Sequence, residues 1–382
     1  MAVRLVDIPT PALVLDLGVL QRNLSAMSQR MKQAGVNLRP HLKTAKSIDL
    51  ARLATQGHSG GIAVSTLREA EYFSDHGISD ISYCVPIVTD KLDRVATMQN
   101  TGATVRLLTD DLEVARAMGR KAKDLSARFG VFIEIDSGYH RSGVHPESEE
   151  LLAIGRALHH PPQVELLGVL THAGHSYRLR GREGIQRVAE EERAAVVRAA
   201  ERLRAQGFPC PAVSVGSTPT AVFANALHGV TETRPGNYMF FDLAMCARGV
   251  CRLEDIAVSV LTVVIAQNPE YGHALVDAGA LALSKDVGVQ AGPMASPGYG
   301  LVCDTAHCRP VEGVIVKSVS QEQGWLGMAE ANRRLPFGEL PVGRRLRILP
   351  NHSCLTSAAY DRYYVVDLRD EILAEWPRVN GW

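Results

Sequence analysis

The chain has 382 residues, 46% of them hydrophobic and 21% charged, with 41 basic and 41 acidic side chains. Such a length can bury a large core and suggests two domains, while zero net charge without a basic run argues against nucleic acid or a membrane surface as partner. The longest strongly apolar stretch (256–266) is too short to span a bilayer, no signal-peptide core opens the chain, and seven scattered cysteines make no disulfide framework; a cytoplasmic protein with reduced thiols is expected.

Residues 9–16 read as a strand and 17–34 as a helix. From 37 onward, short apolar runs alternate with longer stretches of helical period. The runs fall at 37–42, 61–65, 80–85, 104–109, 131–136, 165–172, 212–216 and 231–241, and helices are predicted at 45–56, 66–76, 89–100, 112–127, 148–159, 184–206 and 218–226. Eight such units over roughly 200 residues predict an α/β fold, a (β/α)8 barrel of the TIM type, whose reactive groups gather at the carboxyl ends of the strands. Beyond residue 242 the helical period fades. Residues 256–266, 273–277, 311–318, 345–349 and 363–367 read as strands between Gly and Pro turns, a second and mostly β domain. The expected division is a barrel over 1–245 and a β domain over 246–382, with the opening strand assignable to either.

The predicted strand ends carry the chemistry. Lys43, in Arg39-Pro40-His41-Leu42-Lys43-Thr44, follows the first run, where an amine can condense with the aldehyde of a cofactor such as pyridoxal phosphate. A lone lysine is in most sequences a solvated surface charge, so this reading depends on its company. Asp136 to Gly143 follow the fifth run, Thr171 to His175 end the sixth, Gly216-Ser217-Thr218 end the seventh and Arg234 to Tyr238 lie by the eighth. Gly216, Ser217 and Thr218 open a predicted helix and offer amides and hydroxyls to a phosphate, or form an ordinary N-cap. His172 is a flat group for a cofactor ring or a core histidine, and Arg141 is a cation for a phenolate or a partner for Asp136 or a neighbouring carboxylate. Packing alone gives such residues no reason to gather at one rim.

His352-Ser353-Cys354 follows the predicted strand 345–349. An imidazole and a thiol two residues apart on an extended segment face one side and suit zinc or another borderline divalent metal. Two ligands make no closed structural site, however, and a buried cysteine beside a surface histidine is spelled the same way. Cys246/Cys251 and Cys303/Cys308, with His307 inside the second pair, have steps that fit no common zinc spacing and read as ordinary cysteines.

Asp-Ile-Pro-Thr-Pro-Ala at 7–12, Arg-Pro-His-Leu-Lys-Thr at 39–44, Glu-Ile-Asp-Ser-Gly-Tyr-His-Arg-Ser-Gly-Val at 134–144, Leu-Thr-His-Ala-Gly at 170–174, Ser-Val-Gly-Ser-Thr-Pro-Thr at 214–220 and Pro-Asn-His-Ser-Cys at 350–354 span nearly the whole chain. In these segments it resembles the fold-type III pyridoxal-phosphate enzymes, the alanine racemase-like barrel group. Within that group it is most similar to the metal-dependent D-serine dehydratase and D-threo-3-hydroxyaspartate dehydratase branch, neighbour to the D-threonine aldolases. The resemblance implies that Lys43 is the amine linked to pyridoxal phosphate, that Arg141 lies near the phenolate, and that His172 packs on the ring. It further implies that Gly216, Ser217 and Thr218 with Tyr238 hold the phosphate, and that Arg234 approaches the ring nitrogen. His352 and Cys354 would bind zinc, manganese or cobalt; the aldolases more typically carry His-x-Asp there. Glu322-Gln323-Gly324 departs from the family's usual Glu-His-Gly.

The implied activity is loss of water from a D-3-hydroxy amino acid to an enamine that hydrolyses to a 2-oxo acid and ammonia, giving pyruvate from D-serine or oxaloacetate from a hydroxyaspartate. Lys43 would act as general base and the metal as Lewis acid on the β-hydroxyl. His175 and Arg178 are candidates for reading a second carboxylate. The nearest competitor is a retro-aldol cleavage to glycine and an aldehyde. A racemase would give His352 and Cys354 no role, and a non-catalytic pyridoxal-phosphate carrier would not need the β domain. The resemblance also implies a homodimer.

Overall fold

The computed structural model describes residues 3–288, 298–367 and 370–382. The chain divides into two units, one made of the segment up to Ser25 with Asn237–Arg378, the other of Ala26–Gly236 with Val379–Trp382. After β1 (Ala12–Asp16) and the helix Leu17–Ala34 come β2 (Asn37–Leu38), β3 (Ile62–Val64), β4 (Asp80–Pro86), β5 (Thr104–Thr109), β6 (Phe129–Ile135), β7 (Val164–Thr171), β8 (Ala212–Val215) and β9 (Glu232–Thr233). Strands β2 to β9 form one parallel sheet of order β2-β9-β8-β7-β6-β5-β4-β3, and a parallel bridge from His41 to Ala63 joins its two edges. The sheet thereby curls into the predicted (β/α)8 barrel. Its strands are buried on both faces, which is why they read as continuous apolar runs.

The intervening helices start where side-chain caps allow. Thr66, Asp111, Ser148 and Ser217 each accept the amide three residues on, satisfying a donor that the first helical turn leaves open. The helix Arg182–Ala205 buries Ile185, Val188, Ala189, Val196 and Leu203 at helical spacing, and one glutamate, Glu192, lies on the same stripe.

The last predicted barrel run, 231–241, is corrected. Its strand stops at Thr233, Pro235 brings no N–H to a ladder, and Asn237–Met239 turns as a 3-10 helix that belongs to the other unit.

That other unit contains β10 (Val258–Asn268), β11 (His273–Val276), β12 (Leu301–Cys303), β13 (Pro310–Val319), β14 (Gly324–Met328), β15 (Arg345–Leu349), β16 (Arg362–Val366) and β17 (Ile372–Pro377). Antiparallel pairing runs β10-β11-β14-β13-β12-β15 and back to β10, a closed barrel filled by Val260, Val276, Val302, Val316, Leu326 and Ile348. β1 lies outside this ring, antiparallel to β10 and parallel to β16, with β17 beyond. β12, β14 and β17 go beyond the sequence expectation: the first has three residues, the second is punctuated by Gly324 and Gly327, and the third ends in proline. Among the described residues no helix is long and apolar enough to cross a membrane.

Candidate functional site

Lys43 lies in a tight turn just past β2. The Lys46 amide donates to the Leu42 carbonyl (2.7 Å), and Lys46 itself takes a left-handed conformation, φ 49°. That unusual backbone is braced three ways. The Lys46 ammonium pairs with buried Glu69 at 3.3 Å, its carbonyl accepts the Val379 amide, and Glu69 in turn accepts the Ser65 amide at 3.0 Å. Leu42, Thr44 and Ala45 are fully buried while Lys43 is exposed, so the turn anchors through its neighbours and leaves the lysine accessible. Gly236 passes so close that a Cβ there would sit 2.7 Å from the His41 carbonyl oxygen.

The loop after β6 folds back on itself: the Asp136 amide donates to the Val144 carbonyl and the Val144 amide to the Glu134 carbonyl, flanking Ile135. Asp136 accepts the Gly138 and His140 amides and pairs with the His140 imidazole at 2.6 Å, which outweighs its burial and lowers its pKa. Arg141 therefore does not pair with Asp136. Its guanidinium lies 3.7 Å from Glu134 and stacks over the Tyr139 ring, 5.5 Å from the centroid, with Arg178 at 5.8 Å. Burial raises the Glu134 pKa against the opposing pull of Ser142 and Arg141.

His172, at the end of β7, meets the Gly216 carbonyl through Nδ1. Burial, then the Lys43 charge, push its pKa down to about 3, and burial followed by Lys43, Arg234, His172 and Arg141 hold His41 well below its usual value. Lys43, Arg141 and Arg234, from three strand ends, thus act on the same two neutral imidazoles. Such a concentration of cations, with both imidazoles uncharged, fits a ligand that brings anionic groups of its own, as pyridoxal phosphate does.

Glu192 is 1% exposed, and its Oε1 accepts the amides of both Ala173 (3.0 Å) and Gly216 (3.2 Å). One carboxylate therefore ties the end of β7, next to His172, to the Gly216-Ser217-Thr218 turn. The Ser217 hydroxyl caps Thr220, and the Thr218 amide reaches the Tyr177 hydroxyl at 3.3 Å. Arg234 is 4% exposed and donates to the Thr171 carbonyl at 2.7 Å, the Val215 carbonyl at 3.0 Å and Ser214 Oγ. Ser214 donates on to Glu232 (2.7 Å), which accepts from Arg39 (2.6 Å), whose fork grips Asp80 at 2.9 and 3.0 Å. This polar chain fixes the Arg234 guanidinium; the sequence singles out Arg234 and the motif holding Arg39 but not the links through Ser214, Glu232 and Asp80.

In the other unit, Tyr238 is buried on the 3-10 turn Asn237–Met239. His352 is the extended N-cap (φ −141°) of the helix Ser353–Ala358, so Ser353 and Cys354 are already helical. The expected same-side geometry comes from a helix start rather than from a strand. The imidazole and the Cys354 thiol are in hydrogen-bond contact, and His352 Nδ1 lies 2.7 Å from Asp286 Oδ2. Burial lowers the His352 pKa, but Cys354, Asp242 and Asp286 together raise it to about 9. Asp242 accepts the Ser353 amide (3.1 Å) and the Asn237 side-chain amide (2.7 Å), which seats the helix start. A soft sulfur and a borderline nitrogen side by side fit a zinc-like ion. Among the described residues no group of three His, Cys, Asp or Glu side chains is arranged to hold a metal. Cys246 and Cys251 sulfurs lie 3.3 Å apart, and Cys303 and Cys308 are also in contact; neither pair gathers a third metal-type donor there.

A family profile described as alanine racemase, N-terminal domain, matches residues 15–244, and one described as putative serine dehydratase domain matches 257–366. The chain is 46% identical to the D-threo-3-hydroxyaspartate dehydratase of Delftia sp. (strain HT23), covering 99% of each chain. It is 31% identical to the D-serine dehydratase of Dictyostelium discoideum over 98% of each, and 28% identical to the 3-hydroxy-D-aspartate aldolase of Paracoccus denitrificans over 97% of this chain and 92% of that one. Two solved variants of D-threo-3-hydroxyaspartate dehydratase superpose with a TM-score of 0.95 at 44% and 45% identity, covering 100% of this chain and 98% and 100% of theirs. In one a histidine is replaced by alanine; in the other, solved in the metal-free form, a cysteine two positions further on is replaced.

Proposed function

Because the chain belongs to the alanine racemase-like family and carries its serine dehydratase domain, we propose that it is a pyridoxal-phosphate- and divalent-metal-dependent dehydratase of D-3-hydroxy amino acids. The products would be a 2-oxo acid and ammonia. The observation that carries this reading is the imidazole–thiol contact of His352 and Cys354 at the start of a helix, a donor pair that a racemase would not need.

When bound, pyridoxal phosphate would supply an electron sink for the substrate α-carbon, and the metal a Lewis acid for the β-hydroxyl. Lys43 would hold the cofactor through its accessible amine and, once freed by substrate, take the α-proton at Nζ. Arg141 would neutralise the phenolate and His172, fixed by the Gly216 carbonyl, would present a neutral ring face. Gly216, Ser217 and Thr218, tied to β7 through Glu192, would receive the phosphate with Tyr238, and Arg234, pinned by Thr171, Val215 and Ser214, would face the ring nitrogen. His352 and Cys354 would hold zinc, manganese or cobalt. Loss of water leaves an enamine, which takes up water and releases ammonia.

The test is a panel of D- and L-3-hydroxy amino acids with and without chelator, scoring ammonia, oxo acid and glycine together. Ammonia and oxo acid in equal amounts from D-substrates, lost on chelation and restored by metal, support the dehydratase. Glycine with an aldehyde would replace it with the aldolase. In Lys43→Ala the visible absorbance of bound cofactor and the turnover should both disappear, and full turnover would refute the assignment.

A further inference from the structure

A histidine can offer a metal only one of its two nitrogens, and which one depends on what the other is doing. In this chain His352 Nδ1 is engaged: Asp286 Oδ2 lies 2.7 Å away. The carboxylate stands there for structural reasons that do not involve the imidazole. The Asp286 carbonyl accepts the side-chain amide of Asn351 at 2.7 Å, the residue just before His352. Three residues earlier, the Leu283 carbonyl accepts the Thr356 hydroxyl (2.7 Å), and the Ala282 carbonyl accepts the Tyr360 hydroxyl (3.0 Å). The segment that ends in Asp286 is thus stitched to both ends of the helix that starts at His352.

We propose that Asp286 is a positioning residue for the metal pair, holding the Nδ1 proton of His352 so that Nε2 and the Cys354 sulfur face one cation. This rests on the reading of His352 and Cys354 as metal donors. The inference draws on a general property of ligating imidazoles, whose second nitrogen is anchored on a carboxylate or carbonyl that sets ring orientation and strengthens the donor. Asp286 is separated from the pair by 66 residues, and no spacing rule applied to His352-Ser353-Cys354 reaches it.

The experiment uses the pyridoxal-phosphate-loaded protein stripped of metal and titrated with cobalt(II), read by the thiolate-to-cobalt charge-transfer band. Asp286→Asn should bind cobalt about 10- to 100-fold more weakly while keeping that band, since Cys354 still ligates. Asp286→Glu should recover part of the loss, and cofactor absorbance should be unchanged in both. Cobalt affinity equal to wild type in Asp286→Asn overturns the proposal, and so does complete loss of binding matching His352→Ala, which would make Asp286 a ligand itself. Should the variants fold poorly, imidazole nitrogen NMR of the zinc-loaded wild type decides: a proton on Nδ1 with zinc on Nε2 supports the assignment, and the reverse overturns it. If the wild type gives no thiolate-to-cobalt band, the metal reading of His352 and Cys354 is what has failed.

Discussion

Replacing Glu192 separates the architecture of the cofactor cradle from its charge. Its Oε1 accepts two buried amides, those of Ala173 and Gly216, and its side chain also meets Thr220. Glu192→Ala leaves both N–H groups without a partner, at about 1–3 kcal/mol each, so about 2–6 kcal/mol in total. Affinity for pyridoxal phosphate should fall with it, since the two strand ends lose their tie. Glu192→Gln keeps an oxygen for both amides and should unfold close to wild type. The two forms also differ in pH response. Burial raises the folded pKa above 4.5, so the stability the carboxyl contributes is fully present below pH 4.5 and is lost as pH rises through the folded value. Glutamine undergoes no such loss. Urea midpoints of wild type and both variants, from pH 4.5 upward, should show Glu192→Gln gaining on wild type as pH rises. A Glu192→Ala protein with wild-type midpoint and cofactor affinity would refute the reasoning.

Arg39→Leu leaves Glu232 and Asp80 without their buried cation and should cost about 3–5 kcal/mol in chemical denaturation, part of which Arg39→Leu/Glu232→Leu should restore. His172, with a pKa near 3, and His41, also lowered, stay neutral in the fold but take up protons once unfolded below about pH 6.5. Acid titration should therefore show stability falling from pH 6.5 towards 3, and His172→Asn should flatten that slope. Gly236→Ala places a Cβ 2.7 Å from the His41 carbonyl; a loss of about 1–3 kcal/mol and weaker cofactor absorbance should follow from displacement of the Lys43 turn.

The barrel was legible because parallel strands covered on both sides must be written as unbroken apolar runs, and β5, at 104–109, coincides with its predicted bounds. Lys43, Arg141 and His172, the candidate site residues, fall in the segments that follow β2, β6 and β7, where the apolar runs have ended. Pairwise polar contacts at long range were not legible. Nothing in the local spelling of Glu232 or Asp286 names Arg39 or His352 as partner, since those pairings depend on register and on where a distant loop returns. Glu192 is an intermediate case. Its place on the buried stripe of its helix, four residues before Val196 and four after Val188, marks a carboxylate that must find donors inside, although not which ones.

The seating of β1 between β10 and β16 brings together segments that lie far apart in the sequence. Val14 pairs with Ser259 on one side and with Tyr364 on the other. On the ribosome β1 therefore waits for β16, whereas every strand of the parallel barrel has been made by Thr233. A nascent or clipped polypeptide lacking Arg362–Val366 would keep a bare edge along Ala12–Asp16, a hazard for clumping with its own copies. Truncations that remove Arg362–Val366 should accordingly damage solubility, and they also take the Val379 amide from the Lys46 carbonyl.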